Sequence, residues 1–531
     1  MKTLFTNICA WTLLAGAAFG QSQELYHIDR PTGANFAWRE AMVSLDDLNG
    51  DGVPELLISG SSHGGGEIAT VHSGATGDLM FHLTVPAAAL FYGDGFTSLA
   101  DRNGDGIADI VMLGSRSGAG NSFEGELRIH SGADGSNLFT FRPPVGMNFV
   151  AHAQSFARNL GDMNGDGFED ILCRTNGTLI GPTTYSLMSS ADGQPIYSIV
   201  IPSGRTSIEG AVLLADQDGD GRNDLGFTQR ASNSAQAFLV IASGATGQTI
   251  REFSIPELMV RTGNTEPLIS VSDRAGSQAL SVAYGGVFQG AMGRISAVHG
   301  SVQWSSTCDL STDVCFGSRL LDVGDLNDDG NSDLVALETG FTANGALGLQ
   351  VIDGQTGEVL SEESLPNLVR GYVHGPRLIA MPKADPQGFP TFAIAEDLNN
   401  RVSIRRLIPE IGRLSCTAKP NSTGLGAGLH AHGSTDKKIN HLELTLENAP
   451  PGSLAIFAYG DSFNRILFGE GVLCIAGHGG RLSVGQVDSM GRLSMPVDLN
   501  THGFVPGAWT LQSLFRDGTE LNSSDSITIK F

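Results

Sequence analysis

Aspartate and asparagine recur at every second position in five short stretches of this chain, in the order Asp-x-Asn/Asp-x-Asp-Gly-x-x-Asp/Glu, and an apolar run follows each. Carboxylates and carboxamides at alternate positions, with a glycine that lets the backbone curl, can fold several hard oxygens around one cation. Each loop offers the side chains of its first, third, fifth and ninth residues and the carbonyl of its seventh. These donors are Asp47, Asn49, Asp51, Val53 and Glu55 in the first loop, and Asp101, Asn103, Asp105, Ile107 and Asp109 in the second. The third has Asp162, Asn164, Asp166, Phe168 and Asp170; the fourth has Asp216, Asp218, Asp220, Arg222 and Asp224. Asp325, Asn327, Asp329, Asn331 and Asp333 make the fifth. Asp, Asn and Gly are also ordinary turn residues, but five copies at one spacing outweigh a reading as plain surface turns. The chemistry is that of Ca²⁺, about five ions in all, with the four carboxylates of the fourth loop expected to bind tightest.

An EF-hand would need a bidentate Glu at the twelfth loop position and a helix on each side. Those positions hold Ile58, Met112, Cys173, Phe227 and Ala336, and the runs that follow the loops, such as Leu56-Leu57-Ile58 and Ile110-Val111-Met112, are strand-like. The loops therefore belong between strands. In the fifth copy, Phe316-Gly317-Ser318 leads through Leu321 and Gly324 into Asp325-Leu326-Asn327-Asp328-Asp329-Gly330 and then Asp333-Leu334-Val335. Here the chain resembles the FG-GAP repeats of the integrin alpha-subunit propeller and its bacterial relatives, over roughly its N-terminal three quarters. The resemblance implies an all-β, seven-bladed β-propeller with calcium loops between the first two strands of several blades. It is nearly silent on biological role.

The loop starts are spaced at a roughly regular interval, the signature of a repeat architecture. The step from Asp216 to Asp325 is double, and a degenerate copy, Asp273 to Gln278, lies inside it. A seventh copy runs from Lys383 to Pro390, with Lys383 at the first ligand position, where its ammonium could replace the cation. After each complete loop comes a turn related to Ser-Gly-Ala-Thr-Gly: Ser73 to Gly77, Ser131 to Gly135, Ser190 to Gly193, Ser243 to Gly247 and Asp353 to Gly357. Outer strands then end at Pro86, Pro143, Pro202, Pro256 and Pro366. Leu25 to Pro31 reads as a fourth strand with none before it, while the last repeat has only three. The N-terminal strand is thus expected to complete the last blade, leaving no open sheet edge.

The 70 glycines suit a fold of short strands and tight turns. Of the formal net charge of −24, much is metal chemistry, because sixteen carboxylates stand at ligand positions. Five bound Ca²⁺ would leave about −14. No basic stripe offsets this acidity, which argues against nucleic acid as a partner. Residues 1–20, with Lys2, an apolar stretch and small residues before Gln21, read as a secretory signal too short to span a bilayer. Export places the protein outside the cytoplasm (extracellular, cell-surface or periplasmic) and makes Cys308–Cys315 and Cys416–Cys474 expected disulfides, with Cys173 a buried free thiol. No transmembrane segment is expected in the mature chain.

The propeller is assigned 21–411, and 412–531 a small β-sandwich module. The module is similar to one found at the C-termini of secreted bacterial repeat proteins, through Cys416-Thr417-Ala418-Lys419-Pro420-Asn421-Ser422 and Leu473-Cys474. No phosphate loop, nucleophile elbow or zinc-protease motif occurs in the sequence. The reading is a secreted, calcium-stabilised, non-catalytic adhesion or binding module for an extracellular protein or polysaccharide; the alternatives are an extracellular polysaccharide-degrading enzyme (lyase or hydrolase) and a structural cell-envelope component. The crossings Thr32 to Glu40, Ala87 to Phe96, Val145 to Gln154 and Leu258 to Glu266, with Phe36, Trp38, Phe91, Tyr92 and Phe149, are the expected recognition face.

Overall fold

The computed structural model describes residues 22–531 apart from 31–40, 60–61, 64–65, 86–88, 92–94, 118–122, 143–147, 150–156, 177–182, 232–235, 256–267, 273–278, 285–290, 308–314, 327–329, 340–346, 366–377, 387, 397–399, 409–410 and 436. The signal, Cys308, the degenerate loop at 273–278 and nearly all of the crossings, with Phe36, Trp38 and Tyr92, lie outside the described residues. What is described is all β and falls into two compact units, meeting in sequence between Leu407 and Ile408.

The first unit is a succession of antiparallel sheets, each of at least four strands. The first sheet is Ala41–Ser44, Leu56–Ser59, Gly66–His72 and Leu79–Val85 in spatial order. The fourth, Arg205–Leu214, Asp224–Ala231, Ala237–Ala242 and Thr249–Ile255, repeats that order. The sheets between and after them contain the same meander, with additional short strands in the second and third, and one of them runs over Leu268 to Thr307, where no complete acidic loop occurs. In the last sheet the fourth place is taken by Ser22–Asp29, which pairs antiparallel with Arg401–Leu407, as the missing strand in the sequence led us to expect. Repeated meanders of four strands are the architecture of a β-propeller.

The second strands that follow the acidic loops open on a short apolar run because both of their faces are covered. Leu56, Leu57 and Ile58 are all fully buried, and so are Ile110, Val111 and Met112. Alternate side chains point to opposite faces, so one strand feeds two cores. Leu57 packs with Ile110 and Met112 of the second sheet, while Leu56 and Ile58 pack with Ala393, Val402 and Ile404 of the last. Val111 in turn joins Ile171 and Cys173 of the third sheet. Each full burial of such a side chain contributes about 1.5–3 kcal/mol. Because the first sheet shares one core with the second and another with the last, packing runs from sheet to sheet and returns to its start.

The second unit holds a five-stranded sheet in the order Arg413–Cys416, Glu520–Lys530, Ala508–Asp517, Leu454–Phe468 and Gly471–Gln486. A three-stranded sheet, Gly428–Gly433, Leu442–Glu447 and Leu493–Val497, accompanies it. Ala431, Leu444 and Leu446 from the smaller sheet share one core with Phe457, Leu511 and Ile529 from the larger. Cys416 and Cys474 form a disulfide, and Cys173 in the first unit is free and buried. Among the described residues, no helix is long and apolar enough to cross a membrane.

Candidate metal loops

Each acidic loop joins the first strand of a sheet to the second, and its own hydrogen bonds already give it its curl. In the first loop the Asp47 carboxylate accepts the backbone N–H groups of Gly50 (2.7 Å), Asp51 (3.1 Å) and Gly52 (2.7 Å). Asp101 does the same for Gly104 and Gly106, Asp162 for Gly165 and Gly167, and Asp216 for Gly219 and Gly221. In the fifth loop Asp325 accepts from Gly330 at 2.7 Å. The curl requires two left-handed residues, and glycine occupies both in the first four loops, as at Gly50 (φ 80°) and Gly52 (φ 88°). Asn327 and Asp329 of the fifth loop lie outside the described residues.

The ninth residue is placed differently from the first. Glu55, Asp109, Asp170, Asp224 and Asp333 are fully buried. One oxygen of each accepts the N–H of the loop's second residue, from Arg102 (2.8 Å), Met163 (2.9 Å) and Leu326 (2.8 Å) among others. The other oxygen takes the N–H of Gly132 (3.2 Å), Gly244 (3.1 Å) or Gly354 (3.0 Å) in the second, fourth and fifth loops. The third loop has Ser190 in place of that glycine, and there Asp170 Oδ1 is buried with no hydrogen-bond partner among the described residues.

Electrostatics divide the loop in the same way. The N–H donors around Asp101 and Asp216, with Gly106 and Gly221 foremost, hold those carboxyls below the usual range. Burial, reinforced by neighbouring loop carboxylates, pushes Glu55 up to about 7 and Asp170 to about 6, and raises Asp109 and Asp224. A buried carboxylate beside other carboxylates is a site lacking positive charge.

In two loops the carboxylates already converge. Oxygens of Asp47, Asp51 and Glu55 lie within 4.8 Å of one another, and so do those of Asp216, Asp218 and Asp224. Two oxygens on opposite sides of one Ca²⁺ stand about 5 Å apart, twice a bond of about 2.4 Å, so either trio could share an ion. In the second and third loops the amides of Asn103 and Asn164 instead donate to Asp105 (2.8 Å) and Asp166 (2.9 Å). The all-oxygen donor set and the orphaned Asp170 oxygen both fit a hard cation.

Three features went unread in the sequence. The glycine in second place of four of the outer turns is demanded by the loop beside it: a Cβ on Gly74, Gly132, Gly244 or Gly354 would meet the carbonyl oxygen of the eighth loop residue at 1.7–2.0 Å, and the third turn, with Ser190 there, is the exception. A turn of the same geometry occurs at Ser296–Gly300, although its sequence lacks that glycine. Arg102, an unremarked second loop residue, lays its guanidinium 3.8 Å from the Phe168 ring centre and donates to Ser190 O at 3.0 Å, tying the second loop to the third. In the seventh copy the charge at Asp385 is met by Arg406, 3.4 Å away, whereas Lys383 is exposed. The expected ammonium substitute is thus a guanidinium from a neighbouring strand.

No protein-family profile and no curated protein matches this sequence. Among solved structures it is similar to one described as the structure of the Dos1 propeller, with a TM-score of 0.37 and 8% identity over 68% of this chain and 82% of that one. A likeness so remote decides neither fold nor function.

Proposed function

We propose that this chain is a seven-bladed β-propeller of the FG-GAP type, braced by calcium and followed by a β-sandwich, and that it is a secreted binding module for an extracellular protein or polysaccharide. The observation that carries the calcium reading is the trio Asp47, Asp51 and Glu55, three carboxylates gathered around one point with a buried member whose charge is otherwise uncompensated. Support for seven blades comes from the four-stranded meanders, the fourth place of the last filled by Ser22–Asp29, and the cores shared between neighbours. The Cys416–Cys474 disulfide favours an oxidising compartment. The binding role rests on rigidity: loops on a braced scaffold can vary without disturbing it.

The test has two arms. After dialysis in millimolar Ca²⁺ the protein should retain about five ions, and EDTA should lower its melting temperature, since sites that bind only the folded chain stabilise it by about 2.7 kcal/mol each at a hundredfold excess over Kd. Retention of no calcium with an unchanged melt would refute the brace. A glycan and protein array would then seek the ligand, with the same polysaccharides assayed for turnover. Asp46, raised by burial and by the nearby Glu169 carboxylate, is an acidic group outside the ligand positions. Turnover lost in Asp46→Asn would decide for an enzyme, and binding without turnover for the module.

A further inference from the structure

In the larger unit the first strand of each sheet meets the second in a common register, so residues can be compared place by place. Arg158 lies across from Leu172. In that place the other sheets carry Val43, Thr97, Val212, Ile269, Leu321 and Ile379, none of them charged. Arg174, two residues beyond Leu172, stands on the same face of the third sheet. Its described counterparts, Ser59, Leu113, Thr228, Leu337 and Ala395, are uncharged as well. That face looks toward the fourth sheet, because Leu172 shares a core with Ala211, Leu225 and Phe227. Ala211 contributes only a methyl group where Phe96, its counterpart in the second sheet, packs into the core that holds Leu57. Two arginines thus stand on one side of a cleft whose other side is cut back.

Arg158 is exposed, yet the surrounding protein lowers its pKa through desolvation alone, and it has no hydrogen-bond or ion-pair partner among the described residues. A charge that solvent reaches but protein hems in sits in a recess, and leaving it uncompensated there is unfavourable. Arg158 is four residues before Asp162, roughly 13 Å along an extended strand. That exceeds a Debye length of about 8–10 Å, so the acidic loop is too far away to serve as its counter-charge.

We propose that Arg158, with Arg174 beside it, binds an oxyanion (a carboxylate, sulfate or phosphate group) in the cleft between the third and fourth sheets. Diagonal neighbours on paired strands have Cβ atoms about 7 Å apart, a gap that two long side chains can close upon one such group. Each guanidinium offers parallel N–H donors that match an oxyanion's oxygens. The site goes beyond the binding role proposed above by naming the chemistry of what is bound. The further step, that the anion belongs to an acidic polysaccharide, rests on that role.

The experiment uses the full chain saturated with Ca²⁺. Arg158→Val installs the side chain found in the same place in the first and fourth sheets, and without ligand it should melt no lower than the parent. Sodium sulfate, compared with sodium chloride at equal ionic strength, should raise the melting temperature of the parent more than that of the variant. The difference removes the general stabilising effect of sulfate. In calorimetric titrations Arg158→Val should weaken sulfate binding by about tenfold or more, and Arg158→Lys, which keeps the charge without the fork, should fall between. Arg481→Met, which removes an exposed arginine of the second unit, should leave the affinity unchanged. A sulfated galactan oligosaccharide and its desulfated form then identify the source. Binding of the sulfated form alone assigns the oxyanion to a polysaccharide; binding of sulfate with neither oligosaccharide assigns the same site to a free anion. An equal sulfate response in the parent and the folded Arg158→Val variant would overturn the proposal, whatever ligand the array finds for the module.

Discussion

The ninth loop carboxylate staples its loop by hydrogen bonds and is also the buried member of the proposed ion site, and that double position makes its protonation consequential. Glu55 takes the Leu48 N–H and the Asn49 amide while buried beside Asp47 and Asp51. Its folded pKa, about 7 without metal, stands above the 4.5 of an ordinary glutamate. A raised folded pKa gives stability that is full below the unfolded value and lost as pH rises through the folded one. The metal-free chain should therefore weaken between pH 4.5 and about 7, and bound Ca²⁺ should reverse that loss. The rise in melting temperature on adding calcium is expected to grow from pH 5 to pH 8, and Glu55→Gln, which keeps a hydrogen-bonding group, should flatten the growth. Calorimetry with and without EDTA reads both. At Gly132 the argument is steric: an added Cβ would lie 1.9 Å from Ala108 O. Gly132→Ala should destabilise by about 1–3 kcal/mol, whereas the exposed Ser136→Ala should cost far less; paired urea titrations would show the contrast. The acidic loops were legible as loops because their alternating Asp, Asn and Gly pattern repeats at one spacing. Gly132 was legible only as a turn residue, since the carbonyl it makes room for comes from a different loop.

Among the elements, the strand Ser22–Asp29 carries the most consequence for its length. Its first residue is buried, with Ser22 N–H and Oγ both donating to Glu363 Oε2 (2.7 and 2.6 Å). Arg405 holds the same point from the other side, through Ser22 Oγ (2.8 Å), Ser22 O (3.0 Å) and Glu363 Oε1 (3.1 Å). Further along, Glu24 pairs with Arg401 at 3.0 Å, and Arg401 with Glu396 at 2.7 Å. The sequence revealed that a strand was missing from the last repeat and where it had to come from. It gave no sign of this charge network, because Glu363 and Arg405 lie far from Ser22 in the chain and nothing in their local pattern marks them. Removing one member of a largely buried pair leaves the other uncompensated, at a cost on the order of 3 kcal/mol. Arg405→Met should accordingly speed amide exchange along Ser22–Asp29 and Arg401–Leu407 first, leaving the strands of the fourth sheet protected. Uniform loss of protection throughout the propeller unit would show that the strand does not open on its own.

For the whole molecule, the acidic loops lie in the unit spanning Ser22–Leu407 and the observed disulfide in the unit from Ile408 onward. In sequence the periodicity of the repeats stops near Gly412; the second unit's sheet pairing stayed hidden because strands such as Arg413–Cys416 and Glu520–Lys530 meet across more than a hundred residues. Two separate braces predict two separate responses. Cys416 and Cys474 are 58 residues apart, and in the chain-entropy view a crosslink closing that loop stabilises by about 4 kcal/mol. Reduction should lower the melting of the second unit and leave that of the first in place. EDTA should do the opposite. Differential scanning calorimetry under each treatment, with Cys416→Ser/Cys474→Ser as a control that needs no reductant, distinguishes the outcomes. If reduction and chelation both moved a single common transition, the two units would be one cooperative body, and stability built separately by metal and by sulfur would be the wrong account of this chain.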